Sequence, residues 1–130
     1  MLSFTGHRIF LIVGATDMRK SFNGLSGLAS SLLGATPTSR DLFVFSNRSR
    51  NRLKVLLFDE SGAWVLAKRL DKGTFEWPSP DVGDTVEYMN EELVLLLGGL
   101  DASELRARNW MRRSPALPVG LSTPFSPIQT

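Results

Sequence analysis

Ile9–Leu33, IFLIVGATDMRKSFNGLSGLASSLL, is the stretch on which the fold turns. Its first five residues are uninterruptedly apolar, as a strand buried on both faces requires. Gly14-Ala15-Thr16-Asp17 then supplies a tight turn, and Met18, Phe22, Leu25, Ala29 and Leu32 recur at steps of four and three. That spacing predicts a helix over 18–33 with one apolar face. Thr16 or Asp17 is the expected N-cap, because a short side-chain oxygen there accepts a free amide of the first turn. Gly34 is the expected stop. Arg19 and Lys20 fall at the exposed helix start. Gly24 and Gly27 each cost a helix about 1 kcal/mol relative to alanine, which a close approach of helix backbone to sheet would explain.

The same stretch imitates a phosphate-binding loop. Gly14 to Ser21 follows a strand, precedes a helix and is one residue away from G-x-x-x-x-G-K-[ST]. Val55 to Phe58, ending in Asp59-Glu60, resembles the acidic strand that holds magnesium in such enzymes. Two residues oppose this nucleotide-binding alternative. Arg19 stands where the second glycine lets backbone wrap phosphate, and Asp17 puts a negative charge into the loop.

Outward from this stretch the chain reads as strands and turns. Arg8–Val13, Leu42–Phe45, Arg52–Phe58 and Ala63–Leu70 are expected strands, with Thr85–Tyr88 a further edge strand. Within Arg52–Phe58, Leu53, Val55 and Leu57 should share one face and Arg52, Lys54, Leu56 and Phe58 the other. Turns as short as Asp59-Glu60-Ser61-Gly62 join antiparallel neighbours only, so an antiparallel meander is expected. Asn90 should cap a short helix over 91–97 whose leading glutamates, Glu91 and Glu92, suit the helix dipole. The fold class is therefore α+β: an antiparallel β-meander of four to six strands, one long helix packed on it, and a short C-terminal helix. Residues 1–101 read as a single compact domain. Residues 102–130, Arg-rich and then Pro-rich, read as a disordered tail.

Composition removes whole classes of function. The 130 residues include no cysteine and one histidine, His7, so thiolate sites, disulfides, zinc clusters and cysteine nucleophiles are excluded. His7 belongs to the N-terminal arm or a strand edge. No apolar run reaches membrane-spanning length and the N-terminus lacks a secretory pattern, which points to the cytoplasm. No metal or other cofactor is implied; an Asp17, Asp59, Glu60 cluster would need the first helix start to meet the second turn.

Net charge is only +2, but its distribution is uneven. Between Arg40 and Lys72 eight basic residues face four acidic ones, whereas Gly73 to Asp101 has seven acids and no lysine or arginine. Arg48, Arg50 and Arg52 alternate, and would project to one side of an extended segment, with Lys68 beside Lys54 on the neighbouring strand. Forked guanidinium donors suit phosphate oxygens, and Trp64 offers a stacking surface. The candidate nucleic-acid-binding residues are Arg19, Lys20, Arg48, Arg50, Arg52, Lys54, Lys68, Arg69 and Lys72.

Two segments, RIFLIVGATDMRKSFNGL (8–25) and DLFVFSNRSRNRLKVLLFDESGAWVLAKRLDKGTFEWP (41–78), carry a family resemblance. With the motifs TDMRKSF and LFVF…RLK…AKRL…F-x-W-P, the chain resembles the TnpB accessory proteins of the insertion-sequence-66 group of bacterial mobile elements. These are unrelated to the RNA-guided nucleases of the same name. The resemblance extends from Arg8 to Asp101. It implies a non-catalytic role in DNA transposition beside a separate transposase, with DNA (element ends or any duplex), the transposase, or both as partners. A pure protein-interaction module, docking the acidic 76–92 stretch or a sheet edge onto the transposase, is the alternative. Ser21 and Asn23 depart from the glycine and aspartate common in that family. Neither change weakens a helix.

Overall fold

Five strands and two helices account for the regular structure of residues 4–99, the part of the chain that the computed structural model describes. They run β1 (Arg8–Ile12), α1 (Phe22–Leu33), β2 (Asp41–Ser46), β3 (Arg52–Phe58), β4 (Ala63–Arg69), β5 (Thr85–Tyr88) and α2 (Asn90–Leu97), with a 3-10 turn at Pro80–Val82. The expected basic and Pro-rich tail lies outside the described residues. Among those described, no helix is long and apolar enough to cross a membrane.

The sheet order is β4-β3-β2-β1-β5. β2, β3 and β4 form the expected meander, with short turns between antiparallel neighbours. The wholly antiparallel arrangement is corrected at β1, which pairs parallel with β2 in the register Arg8↔Asp41 to Leu11↔Val44. Parallel neighbours need a long crossover, and α1 supplies it. The opening strand-turn-helix is thus the first part of a β-α-β unit. β5 returns antiparallel to β1 and forms one edge, as expected. The fold is α+β with a mixed sheet.

Period-two alternation places each strand's side chains. Ile9, Leu11, Leu42, Val44, Leu53 and Val55 face one way, and Leu93 and Leu96 of α2 pack on them with Phe4, Phe75 and Tyr88. Ile12, Phe43, Phe45 and Leu56 face the other way, against Leu25 and Ala29 of α1. Phe43 stacks on Phe10 with centroids 5.6 Å apart and meets Phe58 edge-on at 6.4 Å. Each fully buried leucine contributes about 2 kcal/mol. The two helices therefore cover opposite faces, and β2, buried at all six positions, is the centre of three layers.

α1 starts at Phe22, four residues later than its apolar spacing predicts. The Asp17 carboxylate accepts the Arg19 N–H at 2.9 Å, and the Lys20 N–H donates to the Asp17 carbonyl at 3.1 Å. This local turn uses the groups that would have begun the helix. Ser21, not Thr16 or Asp17, is the N-cap, and its side chain makes no capping bond. Phe22 is 49% exposed, outside the buried stripe. Gly34 ends the helix as expected, in the left-handed region at φ 76°. The helical glycines do not serve a close approach to the sheet: a Cβ at Gly27 would meet nothing within 4 Å, and one at Gly24 would meet only the Lys20 side chain. At α2 the Asn90 side chain accepts the Phe4 N–H at 2.8 Å and pins the N-terminal arm, while Glu92 accepts the Met89 N–H at 2.7 Å. Asn90 is therefore not the expected cap.

Candidate nucleic-acid interface

The turn after β2 decides which arginines stand together. Asn47 organises it: its Oδ1 accepts the N–H groups of Asn51 and Arg52 at 3.1 Å each, and its Nδ2 donates to Asn51 Oδ1 at 2.7 Å. Arg50 lies in the left-handed region at φ 58°, so the chain reverses and Arg48, Arg50 and Arg52 do not share a side. Ser46 to Asn51 is a polar turn, as its asparagines and serines indicate, and the one-sided projection expected of an extended segment does not arise.

Arg50 is turned inward. Its guanidinium donates to the Val13 carbonyl at 2.9 Å and the Asn47 carbonyl at 3.3 Å, and lies over the Trp77 ring at 5.3 Å. Burial, then the charge of Arg48, lowers its pKa, though an arginine stays protonated. This residue ties the turn to the end of β1. Arg48 stays exposed at the turn's tip.

β3 and β4 pair over their full lengths, and their register sets Arg52 directly opposite Arg69, on the α1 face of the sheet. Lys54 follows on the same face, opposite Ala67 rather than beside Lys68. The Lys54 ammonium donates to the Lys20 carbonyl at 2.7 Å, which draws the segment before α1 against the strand. An open cleft of about 500 Å³ results, lined by Met18, Arg52, Leu53, Lys54, Ala67, Lys68 and Arg69. Leu70 and Phe75 donate their N–H groups back to the Asn51 and Arg50 carbonyls, so exposed Lys72 lies at the same end of the sheet.

Among the described residues the ion pairs are Arg8–Asp41 and Arg19–Asp17, each at 2.7 Å. Arg52, Lys54 and Arg69 therefore have no carboxylate there. Like charges directly opposite on a sheet destabilise it, so the pairing is unfavourable until an anion covers it.

The other predicted residues separate from this cluster. Arg19 forks onto Asp17, with Nε and a terminal nitrogen both donating. Those bonds, with the Arg19 N–H, hold the Asp17 carboxyl far below the usual range. This loop carries its own anion, which disfavours phosphate. Lys68 points to the opposite face and donates to the Leu97 carbonyl at 2.6 Å, at the C-terminus of α2. Trp64 also lies on that face, opposite Leu57, and donates to Asp59 at 2.9 Å. It offers no stacking surface to the arginines. Among the described residues, no three histidine, cysteine, aspartate or glutamate side chains are grouped to hold a metal.

The chain belongs to the IS66 Orf2-like protein family, whose model matches residues 7–107. It is 38% identical over 94 residues to the uncharacterized protein y4hO of Sinorhizobium fredii, covering 72% of this chain and 81% of that one. The uncharacterized protein y4jC of the same organism is 36% identical over 104 residues, 79% of this chain and 87% of its own length. No solved structure matches. Membership makes the chain a transposition-associated accessory protein of an insertion sequence, in a family that is not one of known enzymes.

Proposed function

We propose that this IS66 Orf2-like protein assists transposition without catalysing it, by holding DNA through its phosphates on the α1 face of the β3–β4 hairpin. Arg52 and Arg69 are the central contacts, Lys54 flanks them, and Lys20, Arg48 and Lys72 form the rim. The observation that carries this reading is the register-enforced Arg52–Arg69 pair, which has no carboxylate among the described residues. A duplex supplies anions at the spacing such a surface can follow, and guanidinium forks fit phosphate oxygens. Backbone contacts position DNA without reading sequence, so choice of the element ends falls to the transposase, the second partner in this reading. Arg19, Arg50 and Lys68 contribute little: Arg19 is forked onto Asp17, Arg50 is turned inward, and Lys68 lies on the opposite face of the sheet.

Fluorescence anisotropy of labelled element-end DNA, with an unrelated duplex as control, tests this at two salt concentrations. Both duplexes should bind, with affinity falling steeply as salt rises. Arg52→Glu with Arg69→Glu should abolish binding while the protein still unfolds cooperatively. Binding that survives this double change, or no binding at low salt, would move the function to direct contact with the transposase.

A further inference from the structure

We propose that β4 is an interface between two copies of this chain, pairing antiparallel with its own counterpart about a two-fold axis at Leu66. Among the described residues β4 is an edge strand, with β3 on one side only. All seven of its residues keep regular register with β3, and it contains neither proline nor bulge. Beyond that ladder, no backbone group of Ala63–Arg69 has a hydrogen-bond partner among the described residues. Trp64 and Leu66, on one face of this edge, are 58% and 39% exposed. Long regular edges with exposed apolar side chains are templates for strand addition.

Charge selects the occupant. The turn before β4 carries Asp59 and Glu60, while its far end and the residues after it carry Lys68, Arg69 and Lys72 against the single acid Asp71. An antiparallel copy sets each acidic end beside the other's basic end, whereas a parallel copy would set like against like. Centring on Leu66 uses the whole strand: Ala63 opposes Arg69, Trp64 opposes Lys68, Val65 opposes Ala67 and Leu66 meets itself. The Lys68 methylenes then lie along the indole. In this register equivalent faces of both sheets point the same way. Both Arg52–Arg69 pairs would share one side, separated by ~20 Å along the strand direction at ~3.3 Å per residue. The pairing itself does not rest on DNA binding.

The chain has no cysteine, so Leu66→Cys introduces a lone thiol. Residues directly opposite across antiparallel strands lie within disulfide reach. In sedimentation from low to high micromolar protein, the mass should rise from 14.4 kDa toward twice that value. Leu66→Arg should stay monomeric throughout, with thermal unfolding that matches the wild type at low micromolar protein, where both are monomers. Under mild oxidation Leu66→Cys should cross-link as a dimer, and Val82→Cys, more accessible but away from this edge, should not. A wild type that is monomeric throughout overturns the proposal, as does a dimer untouched by Leu66→Arg. Equal cross-linking of the two cysteine variants also overturns it.

Discussion

Replacing Arg69 with glutamine should stabilise the free protein and weaken its hold on DNA. Arg52 and Arg69 are direct cross-strand neighbours, both exposed, so their charges share one face of the hairpin with water around them. At ~7 Å in a water-like dielectric, two unit charges repel by ~0.6 kcal/mol, and physiological salt reduces this to ~0.3 kcal/mol. For a domain of this size that is a rise of about 1–2 °C in Tm. Thermal unfolding at low and at molar salt is the assay. The gain should be largest in low salt and vanish at ~1 M, where the screening length is ~3 Å. In parallel, the slope of log K against log salt for a duplex should become shallower by about 0.9, one phosphate contact's worth. A Tm that falls in both salts would mean that Arg69 makes native contacts, and the reasoning from an uncompensated pair would fail. A gain in stability with an unaltered salt slope would leave the repulsion real but remove its link to DNA.

Arg50→Ala should behave oppositely, costing about 2–3 kcal/mol in chemical denaturation because two carbonyl bonds and a ring contact are lost; it should leave the DNA salt slope unchanged. Gly27→Ala should add about 1 kcal/mol of stability, since the new methyl meets nothing and the helix gains a better former. The Asp17 carboxyl is held below its ordinary value, first by the Arg19 side-chain bond and then by the Arg19 N–H. Its contribution is therefore complete above the ordinary carboxylate pKa of about 4 and is lost as pH falls toward the lowered value. Asp17→Asn should accordingly flatten part of the acid limb in unfolding measured against pH.

Some of this architecture was legible in residue order. β3 has the predicted bounds, and its alternation of Leu53, Val55 and Leu57 against Lys54, Leu56 and Phe58 holds, because a strand's side-chain period is local geometry. The turn at Asp59 was legible too: its Oδ1 accepts the Ser61 and Gly62 N–H groups at 2.9 and 2.7 Å, the usual work of aspartate in a turn. The start of α1 was not, because apolar spacing continues through Met18 while Asp17 closes a competing turn. The parallel β1–β2 pair was not either. Alternation assigns faces but says nothing about which strand lies alongside, and a helix between two strands is compatible with a parallel crossover as well as with an antiparallel return.

The candidate site divides along the same line. The sequence by itself determined that basic residues gather between Arg40 and Lys72, that the chemistry of cysteine and paired histidines is absent, and that the chain belongs with the insertion-sequence accessory proteins. Only the tertiary structure decided which of those basic residues act together. One left-handed residue in the turn sends Arg50 inward to the Val13 carbonyl, and the β3–β4 register carries Arg69 to Arg52. A side chain's face follows from its own backbone, but its neighbour across the sheet follows from register, which turn geometry and the burial of every strand fix together.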